Sequence, residues 1–236
     1  MTIKNLVLGG GYVGQRLADR IDAPTTHRSE EKSSAQHSLY FDLANRSSWN
    51  NLPRSENVIW TFPAAPLEQV QDFYRTKLAD VERLFVYAST SCYLAPQGDQ
   101  WIDESQPLDL ARERVAGEEW LRQQGAAILV LAGIYGPNRQ PLDWLKKGLI
   151  KTPDKRVNLV HVDDIVAITE RLLNDQRDAR GERFNLADSE ALHWRDIARH
   201  YGVDIQAEAK NYVSKRISND KIRLWLGGYS FRPLFD

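Results

Sequence analysis

The sequence predicts an α/β protein: a doubly wound parallel sheet with helices on both faces and a small C-terminal lobe. Three observations carry this. Short runs rich in β-branched and aromatic residues alternate with stretches of helical spacing through residues 1–136, the pattern of a sheet covered on both sides. Those runs are nearly continuous in apolar character, as strands buried on both faces must be. The first of them, residues 3–8, ends in Gly9, Gly10 and Gly11 and is followed at once by Val13, Leu17 and Ile21, an apolar stripe at helical spacing.

Each element follows in order. Residues 3–8 predict a buried first strand and a tight turn. Residues 23–26 predict a weak second strand, "SLYFDL" (38–43) a third and "NVIWTF" (57–62) a fourth. Residues 67–81 have helical spacing. "RLFVYAS" (83–89) is the fifth strand, without a glycine. Asp109 is placed to cap a helix that Gly125 stops. "AAILVLAGIYG" (126–136) reads as a sixth strand, 161–174 as a helix opened by Asp163 or Asp164, and "ERFNLA" as a further strand. "HWRDIARHYG" reads as a capped helix and "KRISNDKIRLWLG" as a basic one. Past Pro137 the alternation weakens. The expected division is a dinucleotide-binding domain over 1–136 and a small substrate lobe from 137–159 and 188–236, with 160–187 returning to the main sheet.

Bulk properties bound the function. Of the 236 residues 42% are hydrophobic and 27% charged, ordinary for a globular protein with a full core. The net charge of −1 gives no field that favours nucleic acid or an anionic membrane. The apolar run before the first glycines is too short for a signal or a membrane span, so a cytoplasmic protein is expected. The single cysteine, Cys92, cannot form an internal disulfide, and the five histidines have no ligand spacing, so no metal is expected.

"LVLGGGYVGQRL" places G-x-G-x-x-G (Gly9, Gly11, Gly14) between a strand and a helix. In this context the first glycine permits the turn, the second lets a pyrophosphate approach the backbone, and the third lets helix and strand pack closely. The phosphates then sit on the helix N-terminus. Gly9, Gly11, Tyr12, Val13 and Gly14 are therefore cofactor-binding candidates in a Rossmann-like fold. After the second strand, "PTTHRSEEK" offers Thr26, His27, Arg28 and Ser29, with Glu30 and Glu31 only later. An arginine suits a ribose 2′-phosphate, whereas NAD sites place an acid here. Arg28 thus favours NADP over NAD, with a solvated surface loop as the alternative.

Together "GGGYVG", "FDL", "FPAA", "YASTSCY", "DESQPL", "IYGP", "HVDD", "FNLAD" and "KRISNDKIR" resemble the short-chain dehydrogenase/reductases, in an atypical form of the extended epimerase/dehydratase branch. The resemblance covers most of the chain through the order and spacing of these motifs. It implies that Asp42 lies by the adenine, and that Pro63, Ala64 and Ala65 line the cofactor channel. It implies that Thr90 or Ser91 hydrogen-bonds substrate, and that Ala132, Gly133 and Ile134 run past the nicotinamide, with Arg139 facing the substrate lobe. It further implies a homodimer through helices 67–81 and 109–124.

The family's Tyr-x-x-x-Lys is missing. Its tyrosine moves the proton, and its lysine lowers the tyrosine pKa from about 10. Here the matching positions are Leu110 and Arg114, with Glu118 one turn on. Leucine carries no proton, though Arg114 can hold ribose hydroxyls. The remaining catalytic candidates are Thr90, Ser91 and Tyr93, the last with a structural place as its alternative. Cys92 reads as a small buried hydrophobe and His161 as an ordering or capping residue. Most of Trp60, Trp101, Trp144, Trp194 and Trp225 read as packing residues, and the basic C-terminal stretch as a solvated helix face. Two functions stay open: an NAD(P)-dependent oxidoreductase or epimerase-like enzyme on a small polar or sugar-like substrate, and a dinucleotide-bound sensor or scaffold without turnover.

Overall fold

The run after the N-terminus forms β1 (Thr2–Leu8), which grows more buried along its length until Leu6, Val7 and Leu8 are sealed from water. The chain is described here from a computed structural model covering residues 2–29, 37–95, 98–205 and 214–235; Glu30 and Glu31 lie outside the described residues. After α1 (Tyr12–Ile21) come β2 (Thr25–His27), β3 (Ser38–Tyr40) and β4 (Arg54–Trp60). α2 (Leu67–Phe73) leads to β5 (Arg83–Ser89). Next are β6 (Gln100–Ile102), α3 (Glu113–Gln123), β7 (Ala127–Leu131) and β8 (Gly133–Tyr135). α4 (Pro141–Lys146), β9 (Leu159–His161), α5 (Val162–Asn174) and β10 (Arg183–Leu186) follow. α6 (Trp194–His200), β11 (Lys215–Ile217) and α7 (Asp220–Trp225) complete the series.

Seven strands form the central sheet in the order β10-β7-β5-β4-β1-β2-β3. The pairs β3–β2, β2–β1, β1–β4 and β4–β5 all run parallel. The order reverses between β1 and β4, the switch point at which a doubly wound sheet opens a crevice beyond its strand ends. The predicted α/β, Rossmann-like sheet is therefore present.

The chain folds into two compact units. The first comprises Met1–Cys92, Leu108–Val130 and Val166–Arg183. The second comprises Tyr93–Pro107, Leu131–Ile165 and Phe184–Asp236. The second unit contains two small parallel pairs, β6 with β11 and β8 with β9. Its core gathers Tyr135, Leu145, Leu159, Trp194 and Ile197. Among the described residues, no helix is long and apolar enough to cross a membrane.

Four expectations are corrected. Residues 126–136 are two strands: Ala132 N–H still bonds the Leu186 carbonyl, but Gly133 N–H turns to Asn158. Residues 67–81 are α-helical only to Phe73; Tyr74–Leu78 is a π-helical turn, within which the Thr76 hydroxyl donates to the Asp72 carbonyl. Such a bond competes with the backbone ladder. Asp109 does not cap α3, because its N–H donates to the Cys92 carbonyl and the cap position falls at Arg112. "KRISNDKIRLWLG" is not one helix: Lys215–Ile217 pairs with β6 and only Asp220–Trp225 is helical.

Candidate functional site

The glycine loop joins β1 to α1 in the first unit. Gly9 has φ +102, a left-handed conformation that favours glycine. A β-carbon on Gly14 would strike the Gly9 carbonyl, and one on Gly10 would run into the His27 ring. At Gly11 such an atom would meet only open space. The loop is pinned from both sides. Thr26 accepts the Gly9 N–H on its hydroxyl (2.9 Å) and the Gly10 N–H on its carbonyl (2.8 Å). The Thr61 hydroxyl donates to the carbonyls of Leu8 and Gly9. Gly11 stands at the N-cap of α1, with no side-chain cap bond and no acidic residue in the first turn. No acid of that first turn therefore competes for an anion bound there.

A cleft of about 630 Å³ opens on this loop. Of the predicted cofactor residues, Gly9, Gly11, Arg28, Asp42, Pro63 and Ala65 line it. Tyr12, Val13, Gly14 and Ala64 do not. Val13 and Ala64 are buried, and the Tyr12 ring lies under the Arg16 guanidinium at 4.0 Å. Gly133 and Ile134 belong to the second unit, in β8, where Gly133 fits closely against Leu159 and the Asn158 carbonyl. Sequence reasoning missed Phe41, Phe62 and Gln69 as lining residues. Phe41 and Phe62 each sit beside a predicted residue at a strand end, which was the available signal. Asp42 accepts the Ala44 N–H at 3.0 Å. β2 ends at His27, and Arg28 after it is exposed. The glycine loop and the open start of α1 thus fit the pyrophosphate of a dinucleotide.

β5 ends in hydroxyls that curl into a short 3-10 turn, Thr90–Cys92. Ser91 Oγ lies 3.2 Å from Ser89 Oγ, and the Ser91 carbonyl accepts from Arg112 at 2.7 Å. Cys92 is buried. Tyr93 belongs to the second unit; it is buried, and its hydroxyl donates to Asn185 Oδ1 at 2.6 Å. Leu110 is 56% exposed in the turn before α3. Arg114, on α3, donates to Glu118 at 2.5 Å and to the Tyr87 carbonyl at 3.3 Å. Burial pushes the Glu118 carboxyl up from its usual range, against the pull of Arg114.

In the second unit His161 Nδ1 accepts the Asp163 N–H at 3.2 Å, and burial pushes the imidazole pKa down. Asp164 is buried and accepts from the Tyr229 hydroxyl and the Arg232 N–H. Burial raises the Asp188 carboxyl to about 7, helped by the negative charges of Glu190 and Asp164 and opposed by the Glu190 N–H. Among the described residues no group of three or more His, Cys, Asp or Glu side chains is placed to hold a metal.

Solved structures resemble this arrangement over nearly its whole length. A conserved, functionally unknown protein from Silicibacter pomeroyi DSS aligns at 22% identity with TM-score 0.75, covering 96% of this chain and 92% of that one. A short-chain dehydrogenase/reductase superfamily protein from Agrobacterium tumefaciens, solved with bound NAD, aligns at 16% identity with TM-score 0.76, covering 99% and 94%. The chain shares the fold of this superfamily protein. UDP-glucuronic acid 4-epimerase from Bacillus cereus, solved with NAD, shares this fold at 15% identity and TM-score 0.74, covering 99% and 95%. No family model and no curated protein matches the chain.

Proposed function

We propose that this protein binds a nicotinamide dinucleotide, NADP in preference to NAD, and acts as an oxidoreductase or epimerase-like enzyme on a small polar or sugar-like molecule. The observation that carries the reading is the cleft on the glycine loop, with an uncapped helix end and Arg28 at its rim. NAD in the Agrobacterium and Bacillus structures of the same fold supports it. When bound, the dinucleotide supplies hydride transfer. The chain's own residues hold and orient. The Gly11 N–H and the start of α1 would face the pyrophosphate, with the Gly9 and Gly10 N–H groups holding the loop on Thr26, and Arg28 would grip the ribose 2′-phosphate as a fork. Thr90 and Ser91 would hydrogen-bond substrate. Arg114 is tied to Glu118 and Tyr87, and so serves first to position α3 against the end of β5. A homodimer through α2 and α3 is part of the same reading and is tested by sedimentation.

Titration with NADPH and NADH, followed by nicotinamide fluorescence, tests the proposal. NADPH binds more tightly, and Arg28→Asp weakens NADPH by roughly tenfold to a hundredfold while leaving NADH little changed, the loss expected of a charge-assisted fork. Failure of both nucleotides to bind overturns the reading. Tight binding with no turnover on any polyol, hydroxy acid or nucleotide sugar would assign a sensor instead.

A further inference from the structure

The second unit carries a charged cluster that the dinucleotide cleft does not use. Asp99 immediately precedes β6, whose middle residue is Trp101. β11 pairs with β6 so that Arg216 stands opposite Trp101. Two guanidinium groups converge on the Asp99 carboxylate. Arg156 Nε donates to Oδ2 at 2.8 Å. Arg216 grips it as a fork, Nε to Oδ1 at 3.2 Å and Nη2 to Oδ2 at 2.9 Å. Arg156 is itself held in place, its Nη1 on the Ala191 carbonyl at 3.0 Å and its N–H on Ser214 Oγ at 3.1 Å. The Arg216 guanidinium lies 5.7 Å from the Trp101 ring, and that tryptophan is 53% exposed.

One carboxylate faces two fixed cations, and the cluster is open to water: the side chains of Asp99, Arg156 and Arg216 are 37%, 23% and 32% exposed. The same planar fork recognises carboxylate and phosphate ligands. Gly98, just before Asp99, has φ +93, in the left-handed region that favours glycine. The arginines keep Asp99 ionised; it would leave the clamp by moving, not by taking up a proton.

We propose that Arg156 and Arg216 form a clamp for an anionic group, a carboxylate or phosphate carried by the substrate, with Asp99 as the internal occupant that this group displaces and Trp101 as the wall beside it. Only the word substrate rests on the enzymatic reading above; the binding itself needs no dinucleotide.

The test uses the full chain without nucleotide and two probes, inorganic phosphate and malonate, followed by tryptophan fluorescence with Trp101→Phe as the control for signal origin. Asp99→Asn frees the fork and tightens one or both probes by about tenfold, the size of one released charge-assisted pair. Tightening of phosphate alone assigns a phosphorylated substrate, and of malonate alone a carboxylate. Arg216→Gln loses binding, and Arg216→Lys recovers only part of it because the ammonium lacks the fork. If Asp99→Asn tightens neither probe, or Arg216→Gln binds as the parent does, the cluster is only a structural ion pair and the proposal falls. The Asp99→Asn result decides even if Arg216→Gln does not fold. Unchanged NADPH binding in the same variants keeps this outcome separate from failure of the cofactor reading.

Discussion

At the scale of single residues, Gly10 and His27 form an interlocked pair. The imidazole occupies the volume that any side chain at Gly10 would need, and it stands at the end of β2 where the cleft begins. Gly10→Ala should therefore push the phosphate loop away from β2 and weaken both nucleotides by more than about tenfold, the order of an overpacking cost of 1–3 kcal/mol. Gly10→Ala/His27→Ala should recover much of that loss, since the clash has a single partner; equal defects in the single and double variants would show that the loop is held otherwise. The G-x-G-x-x-G spacing was legible because Gly9 answers a local need for a left-handed turn and Gly14 one for close approach to the Gly9 carbonyl. The middle residue of G-x-G gave no such signal, because its constraint comes from a side chain on another strand. Tyr93 was half legible: its place at a strand end was evident, but its commitment to Asn185 depends on a residue far along the chain.

At the scale of elements, α3 owes its position to Gly117. A β-carbon there would collide with the Ala64 carbonyl, so the helix approaches the segment after β4 as closely as backbone allows. Gly117→Ala should cost about 1–3 kcal/mol in denaturant unfolding, with Ala64, beside the cleft lining, displaced as well. A variant as stable as the parent would mean that the helix shifts freely. The long apolar strands were readable because both faces are buried, and β5 matches its expected bounds. β8 was read only as the end of the strand expected over 126–136, and β6, β9 and β11 were not read as strands. Their pairing is decided by tertiary partners: Asn158 bonds both the Lys215 carbonyl and the Ile217 N–H, a bridge that no local pattern announces.

At the scale of the whole molecule, stability should carry the signature of Asp188. Its carboxyl titrates near 7 in the folded state, against about 3.9 in an unfolded chain. The folded protein therefore holds the proton more tightly. The group's contribution is fully present below about pH 4 and is lost as pH rises through 7. Asp188→Asn should flatten the pH dependence of the unfolding midpoint between pH 4 and 8 and gain on the parent at pH 8. A parallel pair of curves would place the carboxylate in a better-solvated setting. The alternation of strands and helices announced the central sheet well before any contact was known. The second unit was harder to see, because its two small sheet pairs are built from strands of only three residues each.

The clasp on Asp164 has a consequence for how the protein comes into being. The Tyr229 hydroxyl and the Arg232 N–H both dock on that buried carboxylate, while the Tyr135 hydroxyl holds the Arg232 and Pro233 carbonyls. Leu234 and Phe235 then close over the small core. During synthesis, residues 93–107 and 131–165 leave the ribosome long before these partners exist. Asp164 and the small core must wait, exposed, for the strap that completes them, and this interval is when a nascent chain is most open to aggregation or to a chaperone.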